Sequence, residues 1–332
     1  MDEIKNILIA GATGLIGTAL VRRLITQSQY HVWALGRNEQ RARAHFANEW
    51  HHPRFHFISH DITQPLPPTH HTFHHIIDAA SGAAPHLYST APVDVMKSNL
   101  LGVCNLLDYG IRHGLTRFLY ISSGESYGQG DGRILTEDYS GYVDPMAFRS
   151  CYPSSKRAAE TLTASYAHQY GIHAMVARPC HIYGPHFSES DNRVYAQFIR
   201  NALNGQDIIM KSSGSQYRSW CHVDDCVDAL LTILHHGQSG EAYNIADPQS
   251  NITIRQLAEM IADITGRKVV IDTPDETERA GYNPVRQSIL STAKLQQLGW
   301  SITGTMRQKM EKTIREAATH TPTNLQPAPI TK

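Results

Sequence analysis

Tyr152 and Lys156 stand four residues apart at the start of a run with helical periodicity, so their side chains share one face about one turn apart. A phenol with a reference pKa of ~10 is only about a thousandth ionised near neutral pH and needs help to take a proton from an alcohol. A neighbouring ammonium favours the phenolate, typically by ~1 to 3 pKa units. Ser123 ends a segment that reads as a strand, where open α/β sheets bind ligands, and it can hold a substrate oxygen. The three residues suit removal of a proton from a carbinol while hydride leaves the same carbon. The Tyr–Lys spacing by itself is common by chance and usually means an amphipathic helix with a surface lysine. Its place in the chain, after a glycine turn and after Ser122-Ser123, favours the chemical reading.

The glycine turn is Gly11-Ala12-Thr13-Gly14-Leu15-Ile16-Gly17, between a short apolar run and an amphipathic one. There, backbone amides and a helix N-terminus converge on an anionic phosphate, and the glycines allow a tight turn and a close approach to a dinucleotide pyrophosphate. An acidic residue at the end of the second strand would bond the adenosine ribose. The sequence has Leu35-Gly36-Arg37 instead; Arg37 is either a solvated loop residue or a partner for the 2′-phosphate of NADP. Asp61 and Ile62, after the third strand, are candidates for an adenine-facing turn, with an ordinary polar turn as the alternative.

Positioning these residues requires a sheet. Ile7 to Ala10, Val32 to Leu35, Phe55 to Ile58, Ile76 to Ala79, Phe118 to Ser122 and Ala174 to Ala177 read as strands. Leu15 to Ile25, Val93 to His113 and Ser154 to Tyr170 read as helices. The alternation predicts an α/β fold, a Rossmann-type doubly wound parallel sheet with a smaller C-terminal α/β part. Beyond Pro179 the pattern predicts helices at Val194 to Leu203, Val223 to Leu234 and Ile254 to Ile264, and strands at Asp207 to Met210 and Ala242 to Ile245. Thr253 and Gln256 form a capping-box signature. We expect a cofactor domain over 1–180 with a returning segment near 221–247, a substrate-binding part over 181–220 and 248–315, and a disordered tail over 316–332.

Thirty basic and thirty acidic residues cancel, which removes the attraction a nucleic acid or an anionic membrane would need; a small-molecule partner is expected. No signal peptide and no membrane-spanning run is read. Five cysteines without a C-x-x-C pair fit a reducing cytoplasm. His70, His71, His74 and His75 follow Pro65, Pro67 and Pro68 with no cysteine or carboxylate at ligand spacing, so they read as polar loop filler and no metal is expected.

From about Ile7 to Trp300 the chain resembles the extended short-chain dehydrogenase/reductases of the nucleotide-sugar epimerase, dehydratase and decarboxylase group. The resemblance rests on the glycine turn, Asp61-Ile62, Asn99, the run Ser122-Ser123-Gly124-Glu125-Ser126-Tyr127-Gly128, and the Tyr–Lys pair. Arg178-Pro179, Tyr183-Gly184-Pro185 and Leu298-Gly299-Trp300 extend it. It implies NAD as cofactor, with NADP as the alternative that Arg37 raises. It also implies that Ser123, Tyr152 and Lys156 are catalytic and that Lys156 holds the nicotinamide ribose. A nucleotide sugar bound by the C-terminal part, and a homodimer through the helices near Val93 to His113 and Ser154 to Tyr170, are implied as well.

Within the group, Arg149-Ser150-Cys151-Tyr152, Lys156 to Thr161, Asn192-Arg193-Val194 and Gly214 to Arg218 look like the UDP-glucuronate decarboxylases. That likeness implies a UDP-linked substrate and adds Glu125 to the catalytic set. The implied cofactor side takes in Gly11, Thr13, Gly14, Leu15, Ile16, Gly17, Arg37, Asp61, Ile62, Ala79, Ala80 and Lys156; the implied substrate side takes in Ser81, Gly124, His181, Arg193 and Arg218. Gly124 stands where the decarboxylases have a serine that contacts the substrate carboxylate, and His181 replaces an asparagine common before Tyr-Gly-Pro. The rival readings are a 4-epimerase, a 4,6-dehydratase, a 4-ketosugar reductase and, more remotely, a cofactor-sensing regulator.

Overall fold

The computed structural model describes residues 4–68, 71–187, 191–272 and 285–320. The chain alternates strand and helix from its start: β1 (Lys5–Ala10), α1 (Leu15–Ile25), β2 (Tyr30–Gly36), α2 (Glu39–His45), β3 (Phe55–Ser59), β4 (His75–Asp78), α3 (Pro85–Thr90), α4 (Pro92–Arg112), β5 (Arg117–Ile121), α5 (Cys151–Tyr170) and β6 (His173–Pro179). There follow β7 (His181–Tyr183), α6 (Val194–Leu203), β8 (Ile208–Met210), β9 (Tyr217–His222), α7 (Val223–His236), β10 (Ala242–Ile245), β11 (Asn251–Thr253), α8 (Ile254–Thr265), β12 (Val269–Ile271), β13 (Gln287–Ser288), α9 (Ala293–Gln296) and α10 (Met306–His320).

Seven strands form one sheet in the order β10-β6-β5-β4-β1-β2-β3, every neighbour parallel. Ile7 and Ile9 of β1 are buried on one face, while Leu8 and Ala10 are buried on the other under α4 and α5, so helices cover both faces. The chain runs from β1 outward to β3, then returns to β4 on the other side of β1. That reversal opens a crevice at the carboxyl ends of β1 and β4, where Gly11 and Asp78 lie.

The sequence after β6 builds smaller sheets beside this edge. One joins β7, β11 and β13 to β9, and another pairs β8 with β12. The Thr253–Gln256 capping box is present at the head of α8. Two expectations are corrected. His75 is not loop filler but the first residue of β4, buried with its ring 5.7 Å from that of Tyr30; His71 packs on Trp33, and His70 lies outside the described residues. Helix α10 runs through His320, past the expected end of the folded part at 315, because Met310, Ile314 and Ala317 form a buried stripe along it. The rest of the expected tail, 321–332, lies outside the described residues. Among the described residues no helix is long and apolar enough to cross a membrane, no group of three or more His, Cys, Asp or Glu could hold a metal, and all five cysteines are free.

Candidate active site

Gly11 has φ 72°, and a Cβ on it would lie 2.6 Å from Ala80 Cα and 2.7 Å from the Ala79 carbonyl, so Ala79 and Ala80 form the wall of the turn. A Cβ on Gly17 would lie 2.8 Å from Ala12 Cα, which lets α1 start hard against β1. Gly14 heads α1 with no side-chain cap and no acidic residue follows in the first turn. The first-turn amides have no intrahelical partner, and the positive end of the helix dipole is uncompensated. The cradle therefore fits a dinucleotide pyrophosphate by its donors and its lack of side-chain bulk. Leu15 turns its side chain into the core and Ile16 packs against it, so what these two offer a ligand is main chain.

Arg37 is exposed beyond β2, and its charge helps hold the Asp61 carboxyl below the usual range, after the larger effect of the Thr63 N–H. Thr63 also donates its hydroxyl to the same Asp61 oxygen at 2.9 Å. The Ile62 side chain is buried, reaching into the space a Cβ on Gly102 of α4 would need, so it is not the group that faces a base.

Tyr152 and Lys156 lie in the first turns of α5, which starts three residues earlier than the sequence pattern suggested, and both are almost fully buried. The Lys156 ammonium donates to the Ile121 carbonyl at 2.8 Å and stands 5.8 Å from the Tyr152 ring centre. Ser123 caps the short 3-10 turn Gly124–Tyr127 by accepting from the Glu125 N–H at 3.1 Å. Burial, and then the charge of Glu125, push Tyr152 up to about 12, against hydrogen bonds from Ser123 and Ser81 and the charge of Arg193, which pull it down. The lowering expected from Lys156 is not among these influences; burial costs the phenolate more than Ser123, Arg193 and Ser81 return. Ser81 donates to Asn99 at 2.9 Å, and Asn99 donates to Ser155 at 2.9 Å, which fixes Ser81 beside the phenol.

On the substrate side, Arg149 pairs with both oxygens of Glu125, and Arg218 of β9 lies within reach of that carboxylate's charge. Arg218 is only 3% exposed, so its guanidinium is not a surface group. It donates to the Tyr217 and Val285 carbonyls, and burial pulls it down to about 10. Arg193 pairs with Asp191 at 2.5 Å and sits over Tyr195. His181 packs on Trp220 with ring centres 5.2 Å apart; burial, with Arg218 adding to it, lowers it to about 4 and keeps it neutral. At Gly124 a Cβ would make only ordinary contacts, 3.4 Å to Leu290 and 3.5 Å to the Pro179 carbonyl, so the glycine is not sterically required.

Comparison with known proteins settles the lineage of this site. The profile of the NAD dependent epimerase/dehydratase family matches residues 7–246, from β1 through β10. The chain belongs to that family. A UDP-glucuronic acid decarboxylase of Arabidopsis thaliana is 34% identical over 299 residues, 89% of this chain and 83% of that protein. One of Xenopus tropicalis is 31% identical over 315 residues, 93% of this chain and 71% of that protein. Among solved structures, a UDP-glucuronic acid 4-epimerase from Bacillus cereus superposes with TM-score 0.82 at 21% identity, covering 95% of this chain and 99% of that one. A dTDP-glucose 4,6-dehydratase from Streptomyces venezuelae gives 0.80 at 22%, covering 95% and 97%. These structural likenesses show the shared fold.

As a member of the NAD dependent epimerase/dehydratase family, the chain is an NAD-dependent enzyme whose site holds three groups that sequence reasoning did not single out. Arg149 was visible in the run before Tyr152, but its pairing with Glu125 depends on a 3-10 turn, Phe148–Ser150, that turns it back toward β5. Tyr88 of α3 stacks on Tyr152 with ring centres 4.8 Å apart; it lies in a region of Ala, Ser and Pro with no periodicity to mark it. Asp78 ends an apolar strand, and only its single charge in that run could have signalled it.

Proposed function

We propose that the enzyme oxidises the C4 hydroxyl of a UDP-linked uronic acid and releases its C6 carboxylate as carbon dioxide. The observation that carries this reading is Glu125 beside Ser123 and Tyr152, paired with Arg149 and within reach of the buried Arg218 charge, so that two guanidinium groups to one carboxylate leave net positive charge for an anionic substrate. The curated relatives named as UDP-glucuronic acid decarboxylases support it. Bound at the glycine cradle, NAD supplies an acceptor for the C4 hydrogen with its electron pair, and a positive charge that favours the Tyr152 phenolate.

The residues of the chain do the rest. Ser123 and Ser81 orient the C4 oxygen against Tyr152, which takes the hydroxyl proton as the C4 carbonyl forms. Once C4 is a ketone, the C5–C6 bond breaks with its electrons delocalised into that carbonyl, and carbon dioxide leaves. The carbanion at C5 then takes a proton from solvent water on the Glu125 side of the pocket, which balances the loss of the carboxylate as carbon dioxide. Tyr152 returns its proton to the C4 oxygen if the reduction is reversed, which gives UDP-xylose and consumes no net cofactor. Arg218 and Arg193 pair with the diphosphate or the carboxylate.

This reading carries others: residues 1–180 with a returning segment near 221–247 as the cofactor domain, 181–220 and 248 onward through α10 as the substrate part, and a cytoplasmic homodimer. Exposed Val93, Met96 and Leu101 on α4 support the pairing surface. Incubation with NAD and UDP-glucuronate, read by mass spectrometry, tests the reaction. A product lighter by one carbon dioxide is expected. An unchanged mass with C4 inverted gives the epimerase, and no reaction with any uronic acid overturns the decarboxylase.

A further inference from the structure

The sheet face under α4 and α5 is lined by Leu8, Ala10, Ile76, Phe118 and Tyr120. Asp78 continues the same stripe, two residues beyond Ile76 and directly in register with Tyr120 of β5. Three incomplete polar groups meet there. Asp78 Oδ1 accepts from the Ala80 N–H at 3.0 Å, but Oδ2 is buried with no hydrogen-bond partner among the described residues. The Tyr120 hydroxyl is likewise buried without one. The Lys156 ammonium lies 4.7 Å from the Tyr120 ring centre and spends one hydrogen on the Ile121 carbonyl. A leucine at either sheet position would pack at no desolvation cost, so the polar pair has to be explained by what it faces.

We propose that Asp78, assisted by Tyr120, is a positioning residue for Lys156: a buried counterion that keeps the ammonium charged and sets the alkaline limit of the enzyme. The inference rests on the reading of Lys156 as the partner of Tyr152 and the nicotinamide ribose. Burial lowers Lys156 to about 8, and Asp78 is the largest influence raising it, ahead of Glu160. Asp78 is itself raised to about 6, by burial and against the pull of Lys156. The other charged or titratable groups facing this space are Tyr152 and Glu160 of α5. Glu160 is already committed, since Arg178 grips both its oxygens and Ser122 bonds it. Asp78 is therefore the carboxylate left to balance Lys156.

The test uses Asp78→Asn, which keeps the oxygen that accepts from Ala80 and removes the charge, and Tyr120→Phe, which removes one hydroxyl. Two profiles are measured from pH 6 to 10: the affinity for NAD, which needs no substrate, and turnover of UDP-glucuronate. In Asp78→Asn the alkaline limb of both moves to lower pH by one unit or more while the acid limb stays, and Asp78→Glu restores it in part. Tyr120→Phe moves it the same way by less, and decides the matter if Asp78→Asn does not fold. Variant profiles superimposable on wild type, whatever their height, overturn the proposal. Absence of turnover in wild type with a normal NAD profile counts against the decarboxylase reading alone.

Discussion

Arg149 holds both carboxylate oxygens of Glu125, Nη1 to Oε2 at 3.0 Å and Nη2 to Oε1 at 3.2 Å. The guanidinium also lies over Tyr88, 5.5 Å from the ring centre, and Tyr88 stacks on Tyr152. Arg149 thus fixes Glu125 and, through Tyr88, the flank of the phenol.

Arg149→Met should therefore impair chemistry more than binding. Losing one partner of a part-buried charged pair costs about 1–3 kcal/mol, so kcat should fall roughly 10- to 100-fold with KM changed much less. Glu125→Gln should behave alike, and the double variant should be little worse than the poorer single one, because both disable one unit. Steady-state kinetics on the four proteins checks this. Losses that simply add would show the pair to be two independent contacts.

Gly17→Ala should cost cofactor binding sharply, whereas Gly124→Ala should be nearly silent for it. The added methyl at 17 meets the Ala12 backbone at 2.8 Å, while at 124 it meets Leu290 and the Pro179 carbonyl at ordinary distances of 3.4 and 3.5 Å. Gly11→Ala should be as harmful, since φ 72° adds strain of about 1–3 kcal/mol to the clash. Calorimetric titration with NAD, together with the melting temperature, separates the three variants. Tight NAD binding by Gly17→Ala would mean the cradle is not where the pyrophosphate sits.

The contrast between these sites and the C-terminal part shows where the sequence was legible. Strands β1, β2 and β6 are buried on both faces, so their apolar runs stand out, and α1, α6 and β10 were bounded correctly because both flanks carry clear breaks. The glycine turn and the Tyr–Lys pair were legible for the same reason: backbone space and one helical turn are local properties. Strands β7, β9, β11 and β13 escaped because they are two to six residues long and mix Arg, Ser, His and Asn with apolar residues. Their pairing is long-range, with Arg218 opposite Ile252 and Ser288. Helix α5 begins at Cys151 rather than at the expected Ser154 and takes in Pro153, because proline in a first turn gives up no helical hydrogen bond. The Tyr152 shift was read in the wrong direction from its neighbour Lys156, since burial, which raises it, is not a local property of the sequence.

Acid should destabilise the fold between about pH 6.5 and 4. Burial holds His75 down to about 3 and His181 and His222 to about 4. An unfolded chain protonates these histidines near 6.5, so below that value it binds protons that the folded chain does not, and stability falls as pH falls. Each contributes up to roughly 1.4 kcal/mol per unit of pH in this window. Asp78, raised to about 6, works the other way between about 6 and 4, where the folded chain is the one that takes up a proton, and it offsets part of the loss. Urea titrations at pH 7, 6, 5 and 4 should show a declining unfolding free energy with a flatter decline in His75→Phe. A pH-independent value would refute the assignment of neutral buried histidines.

Arg37 should let the enzyme accept NADP as well as NAD. The end of β2 has glycine at 36 beside Thr13, and no carboxylate there repels a 2′-phosphate. Asp61, which feels the Arg37 charge, is engaged by the Thr63 N–H and hydroxyl at 2.9 Å each, so it does not serve as a free ribose ligand. Arg37 is exposed, which limits a charge-assisted bond to about 1 kcal/mol and makes it weaken with salt. Arg37→Ala should accordingly weaken NADP roughly 5-fold and leave NAD unchanged, and Arg37→Asp should exclude NADP while tightening NAD. Dissociation constants for both cofactors at low and high salt give the answer. If Arg37→Ala lowers both affinities equally, or neither, the side chain is not reading the 2′-phosphate, and cofactor choice lies with the backbone of the turn.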